Sequence, residues 1–379
     1  MSATLSAPLL DTYARADITF VDGEGAWLFA DDGTRYLDLV AGIAVVVLGH
    51  RHPAPLAAAH AQLDRLWHTS NLYGTKPMRR LAQLLSDRFG GAQAFFCNSG
   101  AEAVEAAIKY ARKATARTGI LALENSFHGR TAGALAVTGQ PAKRKAFQPL
   151  LPGVTFARAN DEQSLAAAAG PDTACILLEL IQGEGGIHAL TPEFVAAARE
   201  LADEHGALLV FDEVQTGMGR TGTFFAWQQL GVRPDALTLA KGLANGLPIG
   251  ALVVSDAAAG AFVPGDHGST FGGNPVTCAA ACAVCEAIDA ELLDAVARKG
   301  ARLTQALSTL PAVSEVRGAG LLLGVELARE KPADVIAACL ARHLLVGAAG
   351  ERTLRLAPPL TITDHELGQA ISILQEVLA

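Results

Sequence analysis

Asp212 and Lys241 are the residues of this sequence best suited to act together chemically. Asp212 closes the apolar run Ala207-Leu208-Leu209-Val210-Phe211, which reads as a buried strand with a carboxylate at its carboxyl end. Lys241 lies twenty-nine residues on, after Asp235-Ala236-Leu237-Thr238-Leu239-Ala240 and before Gly242. A lysine in apolar surroundings loses its proton and attacks carbonyls, and a fixed carboxylate holds the proton of a pyridinium ring. Those are the two demands of pyridoxal phosphate chemistry, a Schiff-base amine and an acidic partner for the ring nitrogen. Strand-end aspartates and lysines are common, so the reading depends on the remaining parts of such a site.

Candidates for those parts are spread along the chain. Gln93 to Glu102 reads strand, loop, helix: Ser99 suits an N-cap, Gly100 lets backbone approach an anion, and the first amides of the helix can hold a phosphate. Taken alone it is an ordinary capped helix. In Phe127-His128-Gly129-Arg130-Thr131 the phenyl ring can stack on a planar group and Arg130 can grip a carboxylate in a fork. Singly, Phe127 suits a core and Arg130 a surface. His128 is expected to be no proton-transfer base, since no partner carboxylate is evident near it in sequence. Glu179 and Glu184 bracket Gln182-Gly183, either as an acid/base pair or as a solvated turn, with glycines that let Glu184 enter a pocket. Arg355, within Leu354-Arg355-Leu356, is a buried cation in need of an anion: a structural ion pair or a carboxylate clamp. Ser269 and Thr270 put hydroxyls on the glycine-rich loop Ser269-Thr270-Phe271-Gly272-Gly273.

The surrounding pattern supplies elements to carry these groups. Residues 16–40 read as a small hairpin region with Asp-Gly turns at Asp22-Gly23 and Asp32-Gly33. From about 55 to 260, short β-branched runs alternate with alanine-rich amphipathic stretches, the pattern of a mostly parallel, helix-covered sheet. Strands at 313–316, 321–326 and 353–356 and helices near 333–342 and 364–378 predict a smaller α+β unit. The expected division is an N-terminal segment 1–54 joined to the small domain, a large α/β domain 55–274, and a C-terminal α+β domain 275–379.

Bulk composition excludes several classes. The 379 residues suffice for a large core and two domains. With 50% apolar and 18% charged residues, the chain is globular rather than disordered. Its net charge of −8 argues against nucleic acid or an anionic membrane as partner. No window approaches the roughly 18 uninterrupted apolar residues of a membrane span, and Met1 to Leu5 show no basic region of an export signal. Six cysteines are expected to be reduced thiols of a cytoplasmic protein.

Two motifs mimic other chemistry. Cys278, Cys282 and Cys285 have the spacing of an iron–sulfur motif, but the alanines between them favour a helix on which they form one apolar stripe. Gly217-Met218-Gly219-Arg220-Thr221-Gly222 fits a dinucleotide fingerprint, yet Asp212 to Thr216 separate it from the strand and residues 221–227 look extended, so a glycine turn is predicted.

In combination these motifs resemble the class III (fold type I) pyridoxal phosphate aminotransferases over nearly the whole chain, from Tyr36-Leu37-Asp38 and Leu48-Gly49-His50 to Arg355–Leu360. The motifs that carry it are Asn98–Glu102, Phe127–Thr131, Phe211-Asp212-Glu213-Val214-Gln215-Thr216-Gly217 and Ala240-Lys241-Gly242. The resemblance implies an α/β fold with a mostly parallel seven-stranded sheet and a smaller α+β domain. It also implies that Lys241 joins the cofactor covalently, Asp212 holds its ring nitrogen and Gln215 contacts its ring hydroxyl. Phe127 would stack on the ring, Gly100 and Ala101 would cup the phosphate, and Ser99, Glu213 and Val214 would also contact the cofactor. Thr270 would reach the phosphate in a neighbouring subunit, implying a homodimer with shared sites. Arg130 and Ser269 would bind the acylated substrate; in the amino transfer, Arg355 is expected to meet the α-carboxylate of the oxo acid, with Glu184 paired to it as a selector. Two departures stand out. Leu180 replaces a frequent proline, and Ile43 stands where ornithine-specific members carry tyrosine. An apolar Ile43 cannot hydrogen-bond a free amino-acid head group, which favours an Nα-acylated donor such as N-acetylornithine, with 2-oxoglutarate as acceptor and glutamate as product. Succinylornithine, γ-aminobutyrate, ornithine and carrier-linked precursors stay open as donors. Arg355 and Glu184 together suit alternating substrates, which argues against a related mutase or decarboxylase, and a binding protein on the same fold would be expected to lack Lys241 or Asp212, both of which are present.

Overall fold

The computed structural model describes residues 8–379, so the stretch Met1 to Leu5 lies outside the described residues. A seven-stranded sheet forms the centre, in the order Ala92–Cys97, Gly250–Ser255, Ala236–Leu239, Leu208–Asp212, Thr173–Leu178, Gly119–Leu123, Val154–Ala157. Only Gly250–Ser255 runs antiparallel to its neighbours. Helices cover both faces, so these strands need no polar alternation: Thr173–Leu178, Ala236–Leu239 and Gly250–Ser255 are buried at every position. The edge strand Val154–Ala157 is absent from the sequence reading, being short and only partly apolar.

The order of this sheet positions chemistry. Gly119–Leu123, Thr173–Leu178 and Leu208–Asp212 are parallel neighbours, so their carboxyl ends open on one side, where α/β sheets place ligands. The first leads into the loop carrying Phe127 and His128, the second ends one residue before Glu179, and the third ends on Asp212. Gly250 marks a close approach at the opposite edge. A Cβ there would lie 2.3 Å from the Ser99 carbonyl oxygen and 2.8 Å from Cys97 Sγ. Backbone cannot yield, so Gly250→Ala should cost about 2–3 kcal/mol of stability. Urea denaturation measures this, and an unshifted midpoint would refute it.

Two smaller sheets flank the large one. Phe20–Glu24, Trp27–Ala30 and Arg35–Asp38 are joined by Leu344–Leu345, which pairs in parallel with Arg35–Asp38. Asp32-Gly33 makes the expected turn, with Gly33 at φ 84°. Asp22-Gly23 instead lies within a strand, beside a register shift. The second small sheet orders Val313–Ala319, Leu322–Leu327, Thr353–Leu356 and Gly347–Ala349. Pro275–Ala287 packs on the helices Pro53–Leu63 and Lys76–Phe89, alongside the large sheet.

The expected cysteine stripe is present: Cys278, Cys282 and Cys285 are unpaired and buried on the Pro275–Ala287 helix. Burial pushes the thiols of Cys278 and Cys282 up to about 12 and about 11. Among the described residues there is no group of ligands suited to a metal ion, and no helix is long and apolar enough to cross a membrane. Gly217–Gly222 forms turns rather than opening a helix, but the segment after it is not extended; it leads into a 3₁₀ turn at Ala226–Gln229.

Residues 41–44 were not foreseen. Ala41, Gly42, Ile43 and Ala44 have φ of 48°, 64°, 67° and 61°, one left-handed turn in succession. For β-branched Ile43 this is a strained conformation. Surrounding structure enforces it: Ala41 and Ala44 are buried, Ala44 among Ile181, Ile187 and Ala357. Hydrogen bonds from Ala357 N to Leu39 O (2.8 Å) and Leu360 N to Val47 O (2.8 Å) pin both ends.

Candidate active site

A cavity of about 430 Å³ opens at the carboxyl ends of the central strands. Its walls include Ser99, Gly100, Ala101, Phe127, Arg130, Asp212, Val214, Gln215 and Lys241, so nine of the expected residues meet there. Val45, which follows the left-handed turn, completes one side.

The anion-holding end is built by the Gly100–Thr115 helix. Ser99 Oγ accepts from Glu102 N at 3.2 Å, and the Glu102 carboxylate reaches back to Asn98 N at 2.6 Å. That reciprocal cap fixes the helix start. The amides of Gly100 and Ala101 precede any intrahelical acceptor, which leaves them for a ligand. A Cβ on Gly100 would stand 2.8 Å from Val214 Cγ1, so only glycine lets the helix start and the Val214 loop close together.

At the other end Asp212 is fixed on both oxygens. Oδ1 accepts from Val214 N (3.1 Å) and Thr238 Oγ1 (3.0 Å), and Oδ2 meets His128 Nδ1 at 2.7 Å. His128 is fully buried, and its Nε2 has no hydrogen-bond partner among the described residues. Burial alone would lower its pKa, but the hydrogen bond and charge of Asp212, with the charge of Glu179, hold it above the ordinary histidine value. The sequence reading expected no carboxylate near His128; strand order supplies one from 84 residues away.

Glu179 is neither a solvated turn residue nor a free acid. It is buried and accepts from Phe127 N (2.8 Å) and Gly183 N (3.1 Å), tying the aromatic loop to the glycine turn. Burial pushes its carboxyl up to about 7, with His128 opposing and Asp212 assisting. Glu213 faces away from the cavity: its carboxylate takes the amides of Ala226 (2.7 Å) and Trp227 (2.9 Å). Its place beside the cofactor is therefore not what the geometry shows, since neighbouring residues at a strand end point to opposite sides.

Lys241 follows its strand at φ 40° and opens the 3₁₀ turn Lys241–Ala244. Burial lowers its pKa, against the charge of Glu184. Near it, Arg355 donates from Nη1 to Glu184 Oε1, to Gly183 O (3.0 Å) and to Gln215 Oε1 (3.3 Å). Gln215 thus links the arginine to the cavity wall. Despite its burial, Glu184 sits below the usual carboxylate range, held there by Arg355 and then by Lys241 and Lys143.

Three further expected residues stand outside this set. Ser269 Oγ accepts from Gly272 N (3.0 Å) and from Asn98 Nδ2 (3.2 Å), close to the helix start. Thr270 is exposed on the same loop, and Ile43 is exposed on the left-handed turn rather than on the cavity wall. A residue that sequence reasoning missed is Lys143, whose Nζ lies 4.8 Å from the Phe127 ring centroid.

The site fits pyridoxal phosphate: amides for a phosphate, an anchored carboxylate for a ring nitrogen, an apolar floor and a deprotonation-prone amine. Comparison with known proteins agrees. Residues 12–378 match the family described as aminotransferase class-III. A protein from Corynebacterium efficiens named acetylornithine aminotransferase is 48% identical, covering 98% of this chain and 95% of its own. One of the same name from Caldanaerobacter subterraneus is 46% identical, covering 98% and 97%. Among solved structures, N-acetylornithine aminotransferase from Stenotrophomonas maltophilia aligns with a TM-score of 0.84 at 36% identity over 96% of each chain. Ornithine aminotransferase from Toxoplasma gondii aligns with a TM-score of 0.94 at 32% identity, covering 98% and 91%.

Proposed function

The chain belongs to the class III aminotransferases, which are pyridoxal phosphate-dependent enzymes, and from that premise we propose that it transfers the δ-amino group of N-acetylornithine to 2-oxoglutarate. The observation that carries the two-substrate reading is the Arg355–Glu184 pair beside Lys241. A clamp for an α-carboxylate that is covered by an internal anion suits an enzyme that must accept, in turn, a donor without such a carboxylate at its reacting end and an oxo acid with one.

When bound, the cofactor supplies an aldehyde to receive the amino group and an electron-poor ring to take up negative charge. The chain's own residues do the rest. Gly100 and Ala101 amides hold the phosphate, joined by Thr270 of the partner subunit. Asp212, oriented by Thr238, Val214 N and His128, keeps the ring nitrogen protonated. Phe127 and Val214 exclude water from the ring. Nζ of Lys241, its pKa depressed by burial, takes the proton from the substrate carbon that carries the amine. Arg355 then receives the α-carboxylate of 2-oxoglutarate as Glu184 withdraws, and Arg130 and Ser269 receive the distal end.

Replacing Glu184 by glutamine should slow the acylornithine half-reaction about tenfold and the glutamate half less. Single-turnover absorbance changes measure both; equal losses count against the switch. The donor is tested by mixing holoenzyme with N-acetylornithine, N-succinylornithine, ornithine and γ-aminobutyrate separately. N-acetylornithine should bleach the cofactor's visible band fastest, and a faster competitor would replace it as donor.

A homodimer is supported by the exposed apolar side chains Trp67, Leu72, Tyr73 and Phe271, too many for a surface facing water alone. Asn71, in the midst of them, donates to Ser269 O and Gly272 O at 2.9 Å each. The loop bearing Thr270 is thereby held at that surface. Six unpaired, buried cysteines support a reducing compartment, the cytoplasm.

A further inference from the structure

Lys143 belongs to the short Pro141–Arg144 helix. Its neighbours face elsewhere: Arg144 lies over Phe156, with Cζ 4.3 Å from that ring centroid, and Lys145 is exposed. Lys143 alone turns toward Phe127, a residue of the cavity wall, its Nζ 4.8 Å from that ring's centroid. Arg130 approaches the same ring, Cζ at 5.6 Å. Two cations therefore crowd one phenyl ring at the cavity edge.

The ring is the one close partner the ammonium has among the described residues. Half-buried, it makes no ion pair and donates no hydrogen bond among the described residues. It lies within the fields of Glu184, Arg130, Glu179 and Arg355, the charged groups around the cavity, and burial keeps it below the usual lysine range. A cation partly withdrawn from water without an anion is costly. An aromatic face compensates in part; an incoming carboxylate would do so fully.

We propose that Lys143 is a second cationic anchor, with Arg130, for the carboxylate that each substrate carries at the end remote from its reacting carbon. The inference rests on the acylornithine and 2-oxoglutarate reading above and adds a specificity residue to it. The two substrates explain why one arginine is not enough. The remote carboxylate lies one carbon farther from the reacting carbon in an acylornithine than in 2-oxoglutarate. A rigid guanidinium fork suits one of these positions, whereas an ammonium on a flexible four-carbon stem follows the carboxylate between them.

Lys143→Met separates this role from simple support of Phe127, because methionine keeps an apolar stem on the ring and removes only the charge. The variant should raise KM for N-acetylornithine and for 2-oxoglutarate about tenfold each and leave kcat within about twofold. Competitive inhibition by glutarate should weaken by a similar factor, and Lys143→Arg should restore most of it. Cofactor bleaching by putrescine, an amine with no carboxylate, should proceed at the wild-type rate. Unchanged KM values and unchanged glutarate inhibition would overturn the proposal, as would an equal loss with putrescine, which would make Lys143 structural. If the wild-type enzyme instead fails with N-acetylornithine yet binds glutarate, the donor assignment falls while weaker glutarate binding by Lys143→Met still supports the anchor.

Discussion

Lys241→Ala will abolish transamination, a loss of at least about 10⁴-fold in kcat, and will remove the visible absorbance band of the holoenzyme. The amine cannot be replaced by a neighbour. Lys143, the other lysine that the cavity's charges act on, approaches from the Phe127 side on a separate helix. The fold should survive the change. Position 241 lies at φ 40°, where alanine meets the same backbone restriction as lysine, and a half-buried ammonium is lost rather than created. A melting temperature within a few degrees of wild type, alongside lost activity, is the expected pair of results. Borohydride reduction of the wild-type holoenzyme followed by peptide mass spectrometry should mark Lys241. A mark on any other lysine, or residual turnover in the variant, defeats the assignment.

The second large effect is expected at Asp212. Asparagine there keeps the size of the side chain but loses the charge that holds a proton on the ring nitrogen, and kcat should fall on the order of 10³-fold. The surrounding bonds make this a clean test. Thr238 and Val214 N donate to one oxygen, and His128 meets the other, so the amide of asparagine has a defined seat. Its NH₂ must face either Thr238 and the Val214 amide, whose N–H is itself a donor and would lose its acceptor, or the imidazole. The second choice requires a neutral His128 with Nδ1 as acceptor. Cofactor content should therefore remain near stoichiometric while turnover collapses. A variant with near-wild-type kcat would show that the ring nitrogen is served by another group.

These two residues were legible because each closes an apolar run, and a buried parallel strand delivers its last residue to the ligand side of the sheet. The helix cap at Ser99 was legible for the same local reason. What stayed hidden depends on contacts between distant segments. His128 finds Asp212 only once three parallel strands are side by side, and nothing within a few residues of His128 announces it. Lys143 reads as part of a basic surface run with Arg144 and Lys145 until the short helix is docked against Phe127. The left-handed turn at 41–44 contradicts the local preference of Ile43, so no propensity could predict it; tertiary packing overrides it. Glu213 was a different kind of miss. The alternation of side chains along a strand was available in the sequence, and applying it beyond Asp212 would have turned Glu213 away from the cavity.

The stitching of residues 37–48 to residues 343–361 has a consequence for how the protein is made. Leu37 N and Leu39 N bond to the carbonyls of His343 and Leu345, and the carbonyls of Leu39, Val47 and Leu48 receive Ala357 N, Leu360 N and Thr361 Oγ1. The early partners leave the ribosome when some three hundred residues, including all seven strands of the large sheet, are still to be translated. Their backbone groups must wait, solvated, for the last part of the message. Val45, on the wall of the cavity, sits within that waiting stretch, so a nascent chain halted before residue 343 can assemble its central sheet and still have no finished pocket.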